Sequence, residues 1–139
     1  MIRLITKDIQ SYPNLFRFSG PMNPERVPLI IDDIPIPSEL QQLWTRFGGG
    51  EAFESEYFLL PVDGPEGIRA ATSLEVGRGM ASNGLIFHSG YCLSLFLPNH
   101  TYLSLTRDGY ELLGTFDSLD DWYVSVLRHE FGLRYGMPS

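Results

Sequence analysis

Residues 85–116 read LIFHSGYCLSLFLPNHTYLSLTRDGYELLGTF, and this stretch decides the fold class. It contains four runs rich in aromatic and apolar residues, which favour β-strands. We predict strands at residues 85–87, 92–97, 102–106 and 110–116. The turn signals between them are Ser89-Gly90, Pro98-Asn99 and Asp108-Gly109. Because short turns join antiparallel neighbours, the stretch predicts an antiparallel meander.

Side-chain alternation within the meander indicates which residues face the core. Three leucines of the second strand share one side of it, and two leucines of the third strand do the same. They are Leu93, Leu95, Leu97, Leu103 and Leu105. Since side chains alternate with period two, we expect these leucines in the core and Ser94, Ser104 and Thr106 in water. The sheet is therefore expected to be covered on one side.

Two amphipathic patterns flank the meander along the chain. Each has apolar residues at i, i+3, i+4 and i+7, the spacing of one buried helical face. They comprise Leu40, Leu43, Trp44 and Phe47 in the first pattern, and Leu119, Trp122, Tyr123, Val126 and Leu127 in the second. Ser38 with Gln41 predicts a capping box for the first helix, and Gly48 predicts its end. Asp117 or Ser118 predicts the cap of a closing helix.

The remaining segments have weaker patterns. Residues 1–33 are expected to be irregular, because six of the ten prolines lie within the first 37 residues. A short helix could start after Thr6, and Phe16 with Phe18 could alternate along a strand. Thr72 with Glu75 predicts the cap of a weak helix within residues 66–84. Strands in a run with helices before and after predict one α+β domain over residues 1–139. Its helices are expected on one face or one end of a mainly antiparallel sheet.

The 139 residues include 17 acids and 10 bases, which gives a formal net charge of −7. This balance argues against general nucleic-acid binding, which needs basic patches. The single cysteine, Cys92, excludes an internal disulfide framework and favours a reducing compartment. The first residues do not match a secretory signal, and no apolar run approaches the roughly 20 residues of a membrane-spanning helix. We therefore expect a cytoplasmic protein that does not bind membranes.

The excess charge is concentrated in one third of the chain. Residues 25–66 hold nine acids against two bases, whereas the rest of the chain holds eight of each. A water-facing, solubilising surface is one interpretation. The other is a negative surface that attracts a basic protein and raises the rate and specificity of binding. The predicted partner-binding residues are Asp32, Asp33, Glu51, Glu54, Glu56, Asp63 and Glu66.

Patterns that would indicate catalysis or metal binding are weak. His88 and Cys92 could begin a zinc site or a nucleophilic pair, but His100 and His129 would have to converge on them. Glu54 and Glu56 could act as paired carboxylates, although a solvated strand edge explains them as well. Residues 48–50 lack the lysine and hydroxyl of a phosphate-binding loop. We expect no catalytic residue, no metal and no cofactor.

Three segments resemble one known family. They are residues 36–50 (IPSELQQLWTRFGGG), 90–95 (GYCLSL) and 114–122 (GTFDSLDDW). Their order resembles the proline-led helix, glycine turn, strand pair and closing helix of the SUKH superfamily, which includes yeast cell-wall-synthesis regulators and bacterial toxin-immunity proteins. The resemblance covers residues 34–131. Where the family often has asparagine before the paired glycines, this chain has Gly48, which also tolerates a left-handed backbone.

The resemblance implies an α+β protein-binding module without catalytic residues, most often one that blocks a toxin by direct contact. The positions that match the family's fold determinants are Trp44, Gly49, Gly50, Phe116 and Trp122. We therefore expect an immunity protein whose partner is a basic toxin, with a nuclease as the expected class because a phosphate-binding cleft is positive. The alternatives are a regulatory adaptor for an endogenous protein and a small carboxylate-dependent hydrolase.

Overall fold

Nine strands lie within the residues that the computed structural model describes, which are 2–65, 67–81 and 83–138. They are β1 (Phe16–Phe18), β2 (Ile30–Ile31), β3 (Ile34–Pro35), β4 (Gly50–Ala52), β5 (Glu56–Phe58), β6 (Leu85–Ser89), β7 (Leu93–Phe96), β8 (Tyr102–Leu105) and β9 (Leu112–Phe116). Seven of them form one sheet in the order β1-β4-β5-β6-β7-β8-β9, and all neighbours are antiparallel. The strands β2 and β3 form a separate hairpin.

Helices on one face of the sheet enclose the larger core. They are α1 (Arg3–Ser11), α2 (Ser38–Arg46) and a closing helix over residues 119–131, which begins as α4 (Leu119–Trp122), continues as a π-helical segment (Tyr123–Arg128) and ends as α5 (His129–Phe131). The largest buried side chains here are aromatic and include Trp44, Trp122 and Tyr123. Trp44 also fixes α2 to the sheet, because its indole N–H donates to the carbonyl of Leu59 at 3.1 Å.

A smaller cluster lies on the opposite face of the sheet. Ile86, Leu93 and Leu95 form it with Met80, and Ala71 of helix α3 (Ile68–Gly77) packs against it. Thr72 joins α3 to β6, because its hydroxyl accepts a hydrogen bond from the Ile86 amide at 3.0 Å. Helix α3 covers only part of this opposite face, which is called the second face of the sheet below.

The α+β class and the antiparallel meander are confirmed. The prediction of a helix from Ser38 is also confirmed, and Gly48 follows its last turn with φ +80°. A side chain at Gly48 would place Cβ 2.3 Å from the Gly20 carbonyl oxygen, so only glycine fits this backbone. The predicted cap of the closing helix is Ser118, whose hydroxyl accepts from the Asp121 amide at 3.1 Å.

The expectation of an irregular segment over residues 1–33 is wrong, since it contains α1 and β1. The strand that Phe16 and Phe18 allowed is present, and the helix begins at Arg3 rather than after Thr6. The carboxylate of Asp120 accepts the backbone N–H groups of Arg3, Leu4 and Ile5 at 2.8–3.2 Å and so caps α1 from the closing helix. Asp8 of α1 is buried, and its carboxylate accepts a hydrogen bond from the Tyr123 hydroxyl of the closing helix at 2.6 Å. The helix α1 is therefore held by partners more than one hundred residues away in the chain.

Three local predictions are wrong as well. Ser94 and Ser104 are fully buried, because the larger core lies on their side of the sheet rather than on the leucine side. Pro37, not Ser38, is the N-cap residue of α2, and the side-chain Nε2 of Gln41 donates to the Ile36 carbonyl. Thr72 lies in the middle of α3 rather than at its cap.

Among the described residues, no helix has the length and apolar character that crossing a membrane requires.

Candidate protein-binding surface

The seven acidic residues predicted to bind a partner do not form one surface. Asp32, Asp33, Glu54 and Asp63 are exposed, Glu51 is half-buried, Glu56 is buried, and Glu66 lies outside the described residues. The chain passes through β5 between Glu54 and Asp63, so these two residues lie beyond opposite ends of that strand. Only Asp32, Asp33 and Asp63 are brought together.

Asp32 and Asp33 form the turn between β2 and β3. Both have positive φ, at 48° and 66°, as a two-residue type I′ hairpin turn requires. Aspartate adopts this backbone more readily than most side chains, although glycine and asparagine are commoner. The turn therefore presents two adjacent carboxylates at the tip of the hairpin.

Arg69, on the first turn of α3, connects this hairpin to the loop after β5. Its Nε lies 3.2 Å from Asp32 Oδ2, and its Nη1 lies 3.2 Å from Asp63 Oδ1. All three side chains are at least half exposed, so each pair adds at most about 1 kcal/mol to stability. The arrangement orders the carboxylates but leaves them accessible.

Exposed apolar side chains accompany these charges. Ile30 is 59% exposed and Val62 is 38% exposed, and both line one cavity of about 450 Å³. Leu29, next to Ile30 in the chain, is 69% exposed. We name the hairpin surface by its members, Leu29, Ile30, Asp32, Asp33, Val62, Asp63 and Arg69. Apolar groups beside exposed charges are typical of protein interfaces, where an apolar centre is surrounded by a polar rim.

The charge of the hairpin surface is negative but modest. The cavity is lined by Asp63, Arg26 and Arg69, so the three carboxylates of the hairpin surface are accompanied by two guanidinium groups. Sequence reasoning missed Leu29, Ile30, Val62 and Arg69. The run of apolar residues immediately before Asp32 was the available signal, whereas nothing near Arg69 in the chain indicated that it would meet two aspartates.

The prediction that Glu56 lies on the acidic surface is wrong, because its side chain is fully enclosed. Its carboxylate accepts the Tyr91 amide at 3.2 Å and the Ser55 hydroxyl at 2.8 Å, and it lies 3.0 Å from His88 Nε2. Burial disfavours the charged form, but the bonds from His88 and Ser55 outweigh that effect and lower the pKa of Glu56. A Cβ on Gly90 would lie 2.0 Å from this carboxylate, so the site also requires glycine there.

A chain of buried polar groups continues from Glu56 into the larger core. His88 Nδ1 lies 2.8 Å from Ser94 Oγ, which lies 2.9 Å from Ser104 Oγ. The indole N–H of Trp122 donates to the same Ser94 oxygen at 2.9 Å. Within the described part of the chain, no buried side-chain nitrogen or oxygen lacks a partner. The network joins β5, β6, β7 and β8 to the closing helix.

The Glu56 carboxylate can only accept, so His88 carries a proton on Nε2, and burial favours the neutral form of the ring. In that form Nε2–H donates to Glu56, Nδ1 accepts from Ser94, and Ser94 accepts from Ser104 and Trp122. A second proton on Nδ1 would reverse the bonds along this chain, so that Ser94 accepts from His88 and donates to Ser104. Burial disfavours that charged form and, partly offset by Glu56, lowers the pKa of His88 below its ordinary 6.5.

This lowered pKa predicts a loss of stability in mild acid. Below pH 6.5 the unfolded chain binds a proton at His88 that the folded chain does not bind, so the unfolding free energy falls as the pH drops. The slope attributable to one group is at most about 1.4 kcal/mol per pH unit. Urea unfolding measured at several pH values between 7 and 5 gives the unfolding free energy as a function of pH. That free energy should fall less steeply with decreasing pH in His88→Gln than in the wild type. The exposed His129→Gln variant is the control, and an unchanged slope in His88→Gln would contradict the assignment.

Ser94 contacts His88, and His88 contacts Glu56, as a nucleophile, a base and an orienting carboxylate do in a catalytic triad. All three side chains are fully buried, however, and Trp122 and Ser104 occupy the approaches to Ser94 Oγ. A substrate could reach Ser94 only if the closing helix separated from the sheet. The arrangement is therefore one that stabilises the interface between sheet and helix.

Cys92 and the remaining histidines do not form a reactive group with His88. Cys92 is buried, and burial, with the charge of Glu56, raises its pKa to about 11. The reactive thiolate is thus disfavoured. His100 and His129 are exposed. The described residues contain no group of three or more His, Cys, Asp or Glu side chains placed to hold a metal ion.

A larger cavity than that of the hairpin surface lies on the second face of the sheet, beside α3. It is an open groove of about 820 Å³ that includes Glu51, one of the predicted binding residues. Apolar and aromatic side chains make up most of its floor and one wall, among them Tyr57, Leu59 and Leu74. The hairpin surface and this groove share no residue.

Comparisons of the chain with protein-family models, with curated proteins and with solved structures gave no significant match.

Proposed function

We propose that this chain is a non-catalytic protein-binding module, and that it acts as an immunity protein that neutralises a basic toxin by direct contact. The resemblance of residues 34–131 to SUKH proteins supports this role, and that resemblance implies the α+β class which the chain has. The observation that carries the proposal is the hairpin surface. It combines exposed Leu29, Ile30 and Val62 with three accessible carboxylates, two of which Arg69 holds in place.

Each part of the hairpin surface has a distinct role in the proposal. The apolar side chains supply the area that is removed from water when the partner binds, at roughly 25 cal/mol per Å². The carboxylates at the rim steer a basic partner and select against acidic ones. A nuclease domain fits this requirement, since its substrate cleft is positively charged.

The experiment is co-expression with a toxin domain, if the gene beside that of this protein encodes one. The wild type should restore growth and should remain bound to the toxin on an affinity column at low salt. The triple variant Asp32→Asn, Asp33→Asn, Asp63→Asn should bind at least about tenfold more weakly and lose most of the protection. Asparagine tolerates a positive φ, so the hairpin turn keeps its backbone.

A matched control removes three exposed charges elsewhere, in Asp108→Asn, Glu111→Gln, Asp117→Asn. This variant has the same net charge as the first one and should bind as the wild type does. Equal binding by both triple variants would show that only net charge matters and would reject the hairpin surface. Absence of protection and of binding by the wild type would reject the immunity role itself.

A further inference from the structure

The seven-stranded sheet ends at β9, which pairs with β8 and with no other strand of the described residues. This edge strand contains neither proline nor lysine, two residues by which proteins protect an exposed edge. Leu112 is 61% exposed, Leu113 is 55% exposed, and Thr115 is exposed as well. At the other end of the sheet, β1 has only three residues and is less exposed. The longer and more exposed edge strand is therefore β9.

The backbone hydrogen bonds of β8 determine which of its residues face β9. The ladder between β7 and β8 includes the bond from the Leu97 amide to the Thr101 carbonyl at 2.9 Å, and it continues at Leu103, two residues later. Alternate residues of a central antiparallel strand bond to opposite neighbours. The backbone groups of Tyr102 and Ser104 are therefore directed to β9.

The backbone of β9 leaves groups without a partner in the sheet. Phe116 lies opposite Tyr102, and Gly114 lies opposite Ser104, so these two residues of β9 bond to β8. Thr115 lies between them and directs its N–H and C=O groups away from the sheet. Leu113 is the additional residue of a β-bulge and has no partner in β8. The outward backbone groups of these two residues are left to water or to a further strand.

Apolar side chains lie on both sides of this edge. Leu112 is beside Leu105 on the second face, whereas Phe116 packs against the larger core on the first. The Phe116 ring also covers Gly114, where a Cβ would lie 2.9 Å from its Cζ atom. An added strand would place its side chains alternately beside Leu112 and beside Phe116, and β-branched residues in it would cover both.

The charge around β9 is negative. Residues 108–127 contain five acids and no base. Glu111 and Asp117, directly before and after the strand, are both exposed. Arg107, the preceding base, donates to the Ser89 hydroxyl at 2.9 Å and is thus directed towards β6. A strand with a basic residue at each end is complementary to this edge in either direction.

A second copy of β9 does not satisfy these requirements. The register that overlaps two copies fully about a two-fold axis pairs Leu113 with Thr115 and places Glu111 of each copy opposite Asp117 of the other. Like charges directly opposite each other destabilise a strand pair. The bulge at Leu113 also interrupts the regular spacing that such a pair needs.

We infer that β9 binds an extended segment of a partner protein, which adds to the sheet through the backbone of Leu113 and Thr115 and has basic residues at both ends. This edge shares no residue with the hairpin surface, and its occupancy is independent of the proposed function. The two sites are separable by experiment, because the triple variant at residues 108, 111 and 117 should still bind the toxin but should bind the strand more weakly.

The first experiment is an NMR titration of the isotope-labelled chain at low salt. The probe is an acetylated and amidated peptide of alternating valine and threonine with a lysine at each end, added from about 10 µM to about 2 mM. It should shift the amide resonances of β9 and slow hydrogen exchange at the Leu113 and Thr115 amides, which face water in the free chain. A peptide with glutamate at each end should bind at least about tenfold more weakly. N-methylation of the three central amides removes their donors and should abolish binding.

The second experiment changes the charges of the edge. Glu111→Gln with Asp117→Asn should weaken binding of the lysine-ended peptide at least about fivefold. The matched control is Glu25→Gln with Glu54→Asn, which removes two exposed acids elsewhere and should bind as the wild type does. Asparagine tolerates the positive φ at residue 54.

Four results would overturn the inference. They are an absence of shifts in β9, equal binding of the lysine-ended and glutamate-ended peptides, equal binding by the two double variants, and protection of the Thr115 amide that rises with the concentration of the chain alone. The last result would assign the edge to a second copy of the chain.

Discussion

Glu56→Ala is expected to lower the free energy of unfolding by about 3 kcal/mol. The substitution removes the acceptor of the His88 Nε2–H, the Tyr91 amide and the Ser55 hydroxyl. His88 is fully buried, so its N–H group would lose its acceptor where water does not replace it. A buried donor left without an acceptor costs about 1–3 kcal/mol, and this substitution removes the acceptor of three donors.

Two further variants separate the carboxylate from the rest of the side chain. Glu56→Gln keeps the volume and one carbonyl oxygen for His88 and Tyr91, so it should cost about 1 kcal/mol. Glu54→Asn removes a neighbouring exposed acid and tolerates the positive φ at that position, so it should change stability by less than about 0.5 kcal/mol. Urea denaturation at pH 7, followed by circular dichroism, measures all three. Equal midpoints for Glu56→Ala and Glu54→Asn would show that Glu56 is not buried in the network.

Trp122→Ala is expected to have the largest effect of any single change considered, a loss of about 3–5 kcal/mol. The indole is fully buried and makes edge contacts with Phe87, Phe58 and His88, at centroid distances of 4.8, 5.6 and 5.2 Å. Its removal leaves a cavity where the closing helix meets the sheet and takes one donor from Ser94. Since small domains have about 5–15 kcal/mol of stability in total, part of the population should be unfolded at 37 °C.

Trp122→Phe distinguishes packing from hydrogen bonding at this position. It retains most of the aromatic contact area but loses the N–H donor, so it should cost about 1–2 kcal/mol. Leu133→Ala, at an exposed position, is the surface control. The two Trp122 variants keep only one of the two tryptophans, so their fluorescence is not comparable with that of the wild type. Circular dichroism should therefore follow unfolding. A loss below about 1 kcal/mol in Trp122→Ala would contradict the central position of this side chain.

The acidic window of residues 25–66 shows why counting charges overestimated the binding surface. Glu39 accepts hydrogen bonds from the Tyr102 hydroxyl and the Leu119 amide, and thus supports the start of the closing helix. Glu56 supports the buried network. Both acids therefore serve the fold, through partners that lie far away in the sequence. No local pattern distinguishes them from Asp32 and Asp63, which remain accessible.

The amino-acid sequence by itself determined helix α2 and the regular elements of the second half of the chain. Turn residues such as Asp108-Gly109 separate the strands, and apolar spacing such as that of Leu40, Leu43 and Trp44 defines a helical face. These are local properties, because backbone preference and side-chain periodicity depend on residues close together in the chain.

Only the tertiary structure decided which side of each strand is buried. The alternation of Leu93, Ser94 and Leu95 is the same whichever face of the sheet the larger core covers. From the sequence alone, the leucines were predicted to face the core because serine is usually exposed to water. In the folded chain Ser94 is nonetheless buried, since His88 and Trp122 satisfy its hydroxyl. Trp122 lies 28 residues away, and Glu56 and His88, which meet in the same network, are 32 residues apart. A polar group is stable inside a protein only when such partners converge on it, and that convergence is set by the packing of distant elements rather than by the local sequence.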